Sequence, residues 1–415
     1  MDYPVNIAQL RGGGWLCMDG EAIQKKGHIL ASTMAAFTAY ALAASVFGPS
    51  LPAIVQDFVL APVQVGALAA AGSIGFLSVL PAGILADMLG KKKVVIAGIG
   101  VIAAGTVLAG LSSSFPLLLA ALILAGVGNG FFEGSVNTFV SDVYKDKPGF
   151  ALNALHSTWG VGGFLGPLLA GLMLSKFGLW QPNFVVAGSI VAAIIIPMAA
   201  TSARRPLSTG GHRRRRPTLR LNVSPALVLA LFLAWGTELG INSFLPLFLQ
   251  SERGFDSVTA SASLSMLFVA LALGRAVWSV TSDRLGLYST AKITAAAAGV
   301  LILLAAVVPV QLAVIMLFMF AGFFFASVVP TILALAAREA GISSGSTTGF
   351  ILLIASVGGI MIPWSIALIS GATNLFTGFV CLSILMASIA PLTHRAQHTQ
   401  WAPVEEVPNR SYTRR

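Results

Sequence analysis

Charge is what this chain lacks. Asp, Glu, Lys and Arg make up 10% of its 415 residues, against about 25% in a soluble globular protein. A water-facing surface cannot be built from so few charges when 56% of the residues are hydrophobic, so lipid is the solvent for most of the chain. Cysteine is almost missing as well. Cys17 and Cys381 are too few and too far apart for a disulfide framework or a metal site. The alternation of apolar and polar residues over about 10 positions that marks a membrane β-barrel is absent. The apolar runs instead continue for about 20 residues, the length of a membrane-crossing helix. No nucleophile is paired with a base, no glycine loop is placed to cradle a phosphate, and no metal ligands cluster. These absences argue against an enzyme and give no reason to expect a cofactor.

Twelve apolar runs remain, at 29–54, 64–86, 94–112, 116–142, 149–174, 183–201, 225–250, 257–281, 291–309, 312–337, 344–369 and 374–393. The 43 glycines suit such a chain, because small residues let helices approach closely in lipid. Placing the N-terminus in the cytoplasm puts 23 of the 25 Lys and Arg on the cytoplasmic side. That asymmetry is the positive-inside rule. It turns the net charge of +10 into a topological signal rather than a nucleic-acid surface. The expectation is an all-α membrane protein with both termini cytoplasmic, monomeric, in the plasma membrane or a bacterial inner membrane.

The chain also repeats itself. Asp87 and Gly90 after span two recur as Asp283 and Gly286 after span eight, 196 residues on. Leu51-Pro52 recurs as Leu245-Pro246 at an offset of 194, and Gly162-Gly163 with Pro167 recurs as Gly358-Gly359 with Pro363 at 196. The reading is a tail at 1–28, a six-helix bundle at 29–201, a basic linker at 202–224, a second six-helix bundle at 225–393 and a tail at 394–415. The linker's arginines fix topology and can also meet anionic lipid headgroups, at about 1 kcal/mol per basic residue. Two homologous bundles imply alternating access, with a solute held near the membrane midplane.

The run Gly83-x-x-x-Asp87-x-x-Gly90-Lys91-Lys92, with its weaker copy at Asp283-Arg284, resembles the hallmark of the major facilitator superfamily. The first copy departs at Met88, where a basic residue is usual, and the second at Ser279. The resemblance implies the major facilitator fold over about 29–393. It also implies a gate built from Gly83, Asp87, Gly90, Lys91, Lys92, Asp283 and Arg284; the plain alternative is that these residues cap turns.

Ionisable residues inside a membrane helix cost about 2.5–3.5 kcal/mol on insertion scales and persist mainly where function needs them. Of fifteen acids, Glu133 and Glu238 alone lie well inside spans. Glu133 shares a face of span four with Asn137 at i, i+4, while Asn153 and His156 form a second polar pair on span five. A carboxyl so placed can bind and release a proton in each cycle. Glu133 is the first candidate for proton coupling and Glu238 the second, with buried structural carboxyls as the alternative. Arg275 either snorkels to the interface or pairs with Asp283.

Glu133-Gly-Ser-Val-Asn137, Asn153-Ala-Leu-His156, Gly236-Thr-Glu238, Gly274-Arg275 and Gly358-Gly359-x-x-x-Pro363 are similar, in that order, to the fucose, glucose and galactose proton-symporter family. That resemblance implies Glu133 as proton carrier and Asn137 and Asn153 as hydrogen-bonders to a sugar. His156, Trp159, Trp235, Asn242 and Ser327 complete the candidate solute contacts. Fucose-transporting members carry an acid in span one, where this chain offers Thr38, Tyr40 and Ser45. The expected activity is proton symport of a small organic solute, a sugar or sugar-like compound. The alternative is a proton-coupled antiporter exporting a drug or metabolite. Gly163-Phe-Leu-Gly166-Pro167 resembles the antiporter signature, but Leu122 stands where such exporters carry an arginine. A sensor that kept the fold and lost transport is a third reading.

Overall fold

A computed structural model of the chain describes residues 13–145, 147–200, 223–339 and 345–398. The expected basic linker, apart from Val223 and Ser224, and the end of the C-terminal tail lie outside these residues. All regular elements among them are helices. Twelve spans are long and apolar enough to cross a membrane: Lys26–Phe58, Pro62–Leu89, Lys91–Gly110, Phe115–Val143, Phe150–Phe177, Gln181–Ala200, Pro225–Arg253, Ser257–Leu285, Leu287–Val307, Gln311–Glu339, Leu352–Ala372 and Leu375–His398. Each expected run is therefore a helical span, and the last continues five residues further than expected, to His398. The chain is a multi-pass integral membrane protein.

Proline sets where several spans begin. Pro62, Pro116, Pro148 and Pro182 sit in the first turn of their helices, where a missing N–H breaks no hydrogen bond. Gln64 closes the start of span two by accepting a hydrogen bond from the Ala61 N–H at 2.9 Å. Four spans that read as unbroken apolar runs are each two helices, interrupted at Val46, at Leu77–Ser78, at Ile194 and at Ala326–Ser327. Backbone groups freed by a break in lipid need new partners, and the chain supplies them. The Ser50 N–H reaches the Val46 carbonyl across the first break, and the Thr331 N–H reaches Ser327 across the last. At the second, the Ser78 hydroxyl donates to the Val127 carbonyl of span four at 2.9 Å. Gly130 faces it, and any side chain there would collide with Ser78.

The repeat is written in the backbone too. Gly90 (φ 98°) and Gly286 (φ 81°), 196 residues apart, each stand directly before the third span of their half. Val59 (φ 50°) and Gly254 (φ 67°), 195 apart, end spans one and seven with the same left-handed turn. Glycine adopts these angles freely; Val59 does so at a steric cost.

The described residues fall into two compact units. The first belongs to Met1–Arg213 with Asn242–Val269, and the second to Arg214–Ile241 with Ala270–Arg415. Within the first, span three packs on spans four and six, span one on span five and span two on span four; within the second, span nine packs on spans ten and twelve. Glycine permits these approaches. A methyl on Gly98 would sit 2.6 Å from the Phe132 backbone nitrogen, and one on Gly105 would strike Ala125. Phe37, Phe132, Phe184 and Trp180 fill the first unit's interior. Leu108, Leu172, Val300 and Phe320 are exposed, as lipid-facing side chains should be.

Candidate functional site

Spans one, four and five build the polar centre of the first unit. Asn137 lies one turn beyond Glu133 on span four, and its Nδ2 donates to the Glu133 backbone carbonyl at 3.4 Å. The Glu133 carboxyl lies beside the same amide. On the other side of that amide, His156 Nε2 donates to Asn137 Oδ1 at 2.9 Å. An amide and an imidazole, which sequence spacing placed only on separate helices, are thus hydrogen-bonded across two spans beside an acid. Asn153 lies one turn before His156 on the same helix; its side chain is outside the described residues.

Behind these groups stands an aromatic wall. The Phe37 ring meets the imidazole of His156 edge-on with centroids 4.9 Å apart, and the Tyr40 ring meets Trp159 at 5.0 Å. Phe132 tilts against Phe37 and Tyr40 at 5.8 and 5.7 Å. Each edge-to-face pair adds about 0.5–1.5 kcal/mol beyond the area it buries. Phe37, Tyr40 and Phe132 are buried, Trp159 is half-buried and His156 is exposed. The accessible surface is therefore an indole and an imidazole backed by packed rings. Tyr40 is also close enough to feel the charge of Glu133.

Close glycine contacts hold this geometry. Side chains at Gly162 and Gly166 of span five would strike Thr38, Leu42 and Ser45 of span one. The Ser45 hydroxyl reaches the Gly162 carbonyl at 3.4 Å, and Thr158 reaches Met34 at 3.3 Å. Of the glycines that resemble an antiporter signature, Gly166 is taken up by this crossing, while Gly163 lies against the Phe268 ring of span eight.

Asn242 lies in the first unit, where its backbone carbonyl fills the space left by Gly48 and its Oδ1 is buried without a partner among the described residues. Glu238 and Trp235 lie on span seven in the second unit, both half-buried. Arg275 on span eight is near enough for its charge to be felt at Glu238, rather than pairing with Asp283. The neighbouring Thr237 hydroxyl is fully buried and has no partner among the described residues. Ser327, in the second unit, is buried at the break of span ten and hydrogen-bonded to Thr294 Oγ1 of span nine at 3.1 Å.

The residues expected to form a gate lie at the ends of spans two and three in the first unit and of span eight in the second. Lys91 forms an ion pair with Asp142 at 2.6 Å, tying the start of span three to the end of span four. Lys92 donates to the Ala199 carbonyl at 3.0 Å. Asp87 is exposed and has no ion-pair partner among the described residues; Gly83 has open space where a side chain would be. Asp283 and Arg284 are exposed in the second unit. There, Glu339 at the end of span ten accepts from the Tyr288 hydroxyl and from the Ser224 N–H, both at 2.8 Å. Asp142 and Glu339 close the fourth span of each half onto the third by different chemistry, an ion pair in one and a phenol in the other. Neither partner was found from sequence, because each lies 51 residues away. Phe37 was missed too; its spacing of three from Tyr40 was the available signal.

Comparison with known proteins gives the same architecture. The family model of the Major Facilitator Superfamily matches residues 33–363. A 3-(3-hydroxy-phenyl)propionate transporter of Escherichia coli K12 is 27% identical over 243 residues, which are 56% of this chain and 59% of that protein. Among solved structures, a bacterial homologue of the human lysosomal transporter Spinster superposes with a TM-score of 0.78 at 17% identity, covering 91% of this chain and 99% of that one. The fucose:proton symporter of E. coli superposes at 0.62 with 20% identity, covering 88% and 98%. These structural likenesses concern the fold. The chain belongs to the Major Facilitator Superfamily and is a transporter of a small solute, not an enzyme.

Proposed function

We propose that this transporter carries an uncharged sugar or sugar-like solute in symport with protons, by alternating access. The supporting observation is the hydrogen-bonded pair Asn137–His156 beside Glu133 and the half-buried Trp159 ring. A sugar offers hydroxyls that suit an amide and an imidazole, and an apolar C–H face that suits an indole. Glu133 carries the proton; Asn137, Asn153, His156 and Trp159 hold the solute in the first unit, to which Asn242 of span seven also belongs, and Trp235 is the candidate solute contact of the second unit. Glu238, balanced by Arg275, is the second titratable group.

The first five spans hold no Lys or Arg away from their ends. A solute bearing a carboxylate, such as the one named for the E. coli relative, would find no fixed cation within these five spans. The solved fucose:proton symporter shows that this fold accommodates sugar symport. Lys91–Asp142, with Asp87, supplies the gate of the first unit, and Asp283 with Arg284 that of the second.

The test is uptake into proteoliposomes of labelled D-glucose, D-galactose and L-fucose, with the pH gradient imposed in each direction. Concentrative uptake along the proton gradient supports symport. Movement of a cationic dye against the proton flow, with no sugar uptake, overturns it in favour of export.

A further inference from the structure

Span four carries a second amide, which no role above absorbs. Asn129, Glu133 and Asn137 follow one another at intervals of four, one turn apart along a single helix face. The flanking faces are already committed. Gly126, Gly130 and Gly134 lie against span two, and Gly128 and Phe132 against span three. Asn137 Oδ1 is taken by His156. Asn129 Oδ1, by contrast, is buried and accepts no hydrogen bond from any described residue. Leaving a buried carbonyl oxygen unpaired costs about 1–3 kcal/mol. Native proteins seldom carry that cost without a use for it. Leucine, with the same branching, would carry no such cost.

We infer that Asn129 is a further solute-binding residue, whose Oδ1 accepts a hydrogen bond from a hydroxyl of the transported compound one turn along span four from Glu133. The inference rests on the sugar-symport reading and deepens it. The recognition stripe then runs Asn129–Glu133–Asn137, with an acceptor before the proton site and an amide–imidazole pair after it. Asn129 fixes which hydroxyl faces the carboxyl, and so which sugars are carried.

The test uses the full chain in proteoliposomes and whichever of D-glucose, D-galactose and L-fucose the wild type accumulates best, together with that sugar's monodeoxy analogues. Asn129→Leu keeps the branched side-chain shape and removes the acceptor; Asn129→Asp keeps the acceptor. The half-saturation concentration of Asn129→Leu rises about tenfold, the equivalent of about 1.4 kcal/mol, with the maximal rate per folded molecule retained. One deoxy analogue is handled equally by wild type and Asn129→Leu, and Asn129→Asp stays close to wild type for the parent sugar. An unchanged half-saturation in Asn129→Leu overturns the assignment, as does an equal penalty on every analogue. If Asn129→Leu does not fold, Asn129→Ser, which withdraws the acceptor by one bond, is judged by the same criteria. A wild type that moves none of these sugars overturns the sugar reading itself, and the assignment of Asn129 with it.

Discussion

Two glycines of span three, two residues apart and so on nearly opposite faces of the helix, have opposite roles. A methyl on Gly98 would lie 2.6 Å from the Phe132 backbone nitrogen and 3.0 Å from its Cα, while a methyl on Gly100 would meet nothing within 4 Å. Gly98→Ala must push span four away by about 1 Å to restore van der Waals contact at about 3.5–4 Å. Overpacking of that kind costs about 1–3 kcal/mol. The displaced turn carries Glu133, so transport per folded molecule falls as well. A misplacement of about 1 Å is enough to cost an enzyme about a hundredfold, and a loss of at least tenfold in uptake is expected here. Gly100→Ala removes a helix-destabilising residue at no steric cost and gains up to about 1 kcal/mol. The assay is thermal unfolding of the detergent-purified protein followed by fluorescence-detected size exclusion, with uptake measured on the folded fraction. Equal shifts for the two variants, or a Gly98→Ala protein with wild-type uptake, would refute the claim that this contact positions the acid.

Two other regions give separate expectations. Asp256 caps span eight: its Oδ1 accepts from the Val258 and Thr259 N–H groups at 2.9 and 3.0 Å, and the Thr259 hydroxyl holds its carboxyl below the usual carboxylate range. A lowered pKa stabilises the fold above the unfolded value of about 3.9 and loses that contribution as pH falls through the folded value. Asp256→Ala should therefore cost about 1 kcal/mol at pH 6–8, and the gap to wild type should shrink below about pH 4; a gap independent of pH would remove the charged cap from the account. In the second unit, Arg275→Gln leaves Glu238 without its balancing charge. Uptake should fall, and the pair Arg275→Gln with Glu238→Gln should recover part of it; additive losses in the double variant would mean that the two side chains act independently.

The twelve spans were legible because lipid imposes one demand, about 20 uncharged residues at a time, and the chain meets it twelve times. The duplication was legible because Asp87-x-x-Gly90 and Asp283-x-x-Gly286 needed the same positive-φ glycine before the third span of each half. The breaks at Val46, Leu77–Ser78 and Ala326–Ser327 were not, because in a lipid-facing run both sides of a kink are equally apolar and the pattern does not change across it. Glu133 stood out as a rare intramembrane acid. The wall of Phe37, Tyr40 and Phe132 did not, since 25 phenylalanines give no contrast between packing and site. Ser327 read as a candidate solute contact, yet tertiary packing commits its hydroxyl to Thr294. The partners of Lys91 and Tyr288 were hidden by sequence distance, as side-chain contacts between spans generally are.

The central claim is that Glu133 moves the coupling proton while Asn137 and His156 hold the solute. Glu133→Gln separates the two, because the amide keeps the size of the carboxyl and cannot carry a proton. In proteoliposomes, the variant should exchange labelled for unlabelled sugar across the membrane at a rate near that of wild type and should fail to concentrate it under an inward proton gradient. Accumulation at the wild-type level by Glu133→Gln would contradict the account and leave Glu133 a structural carboxyl.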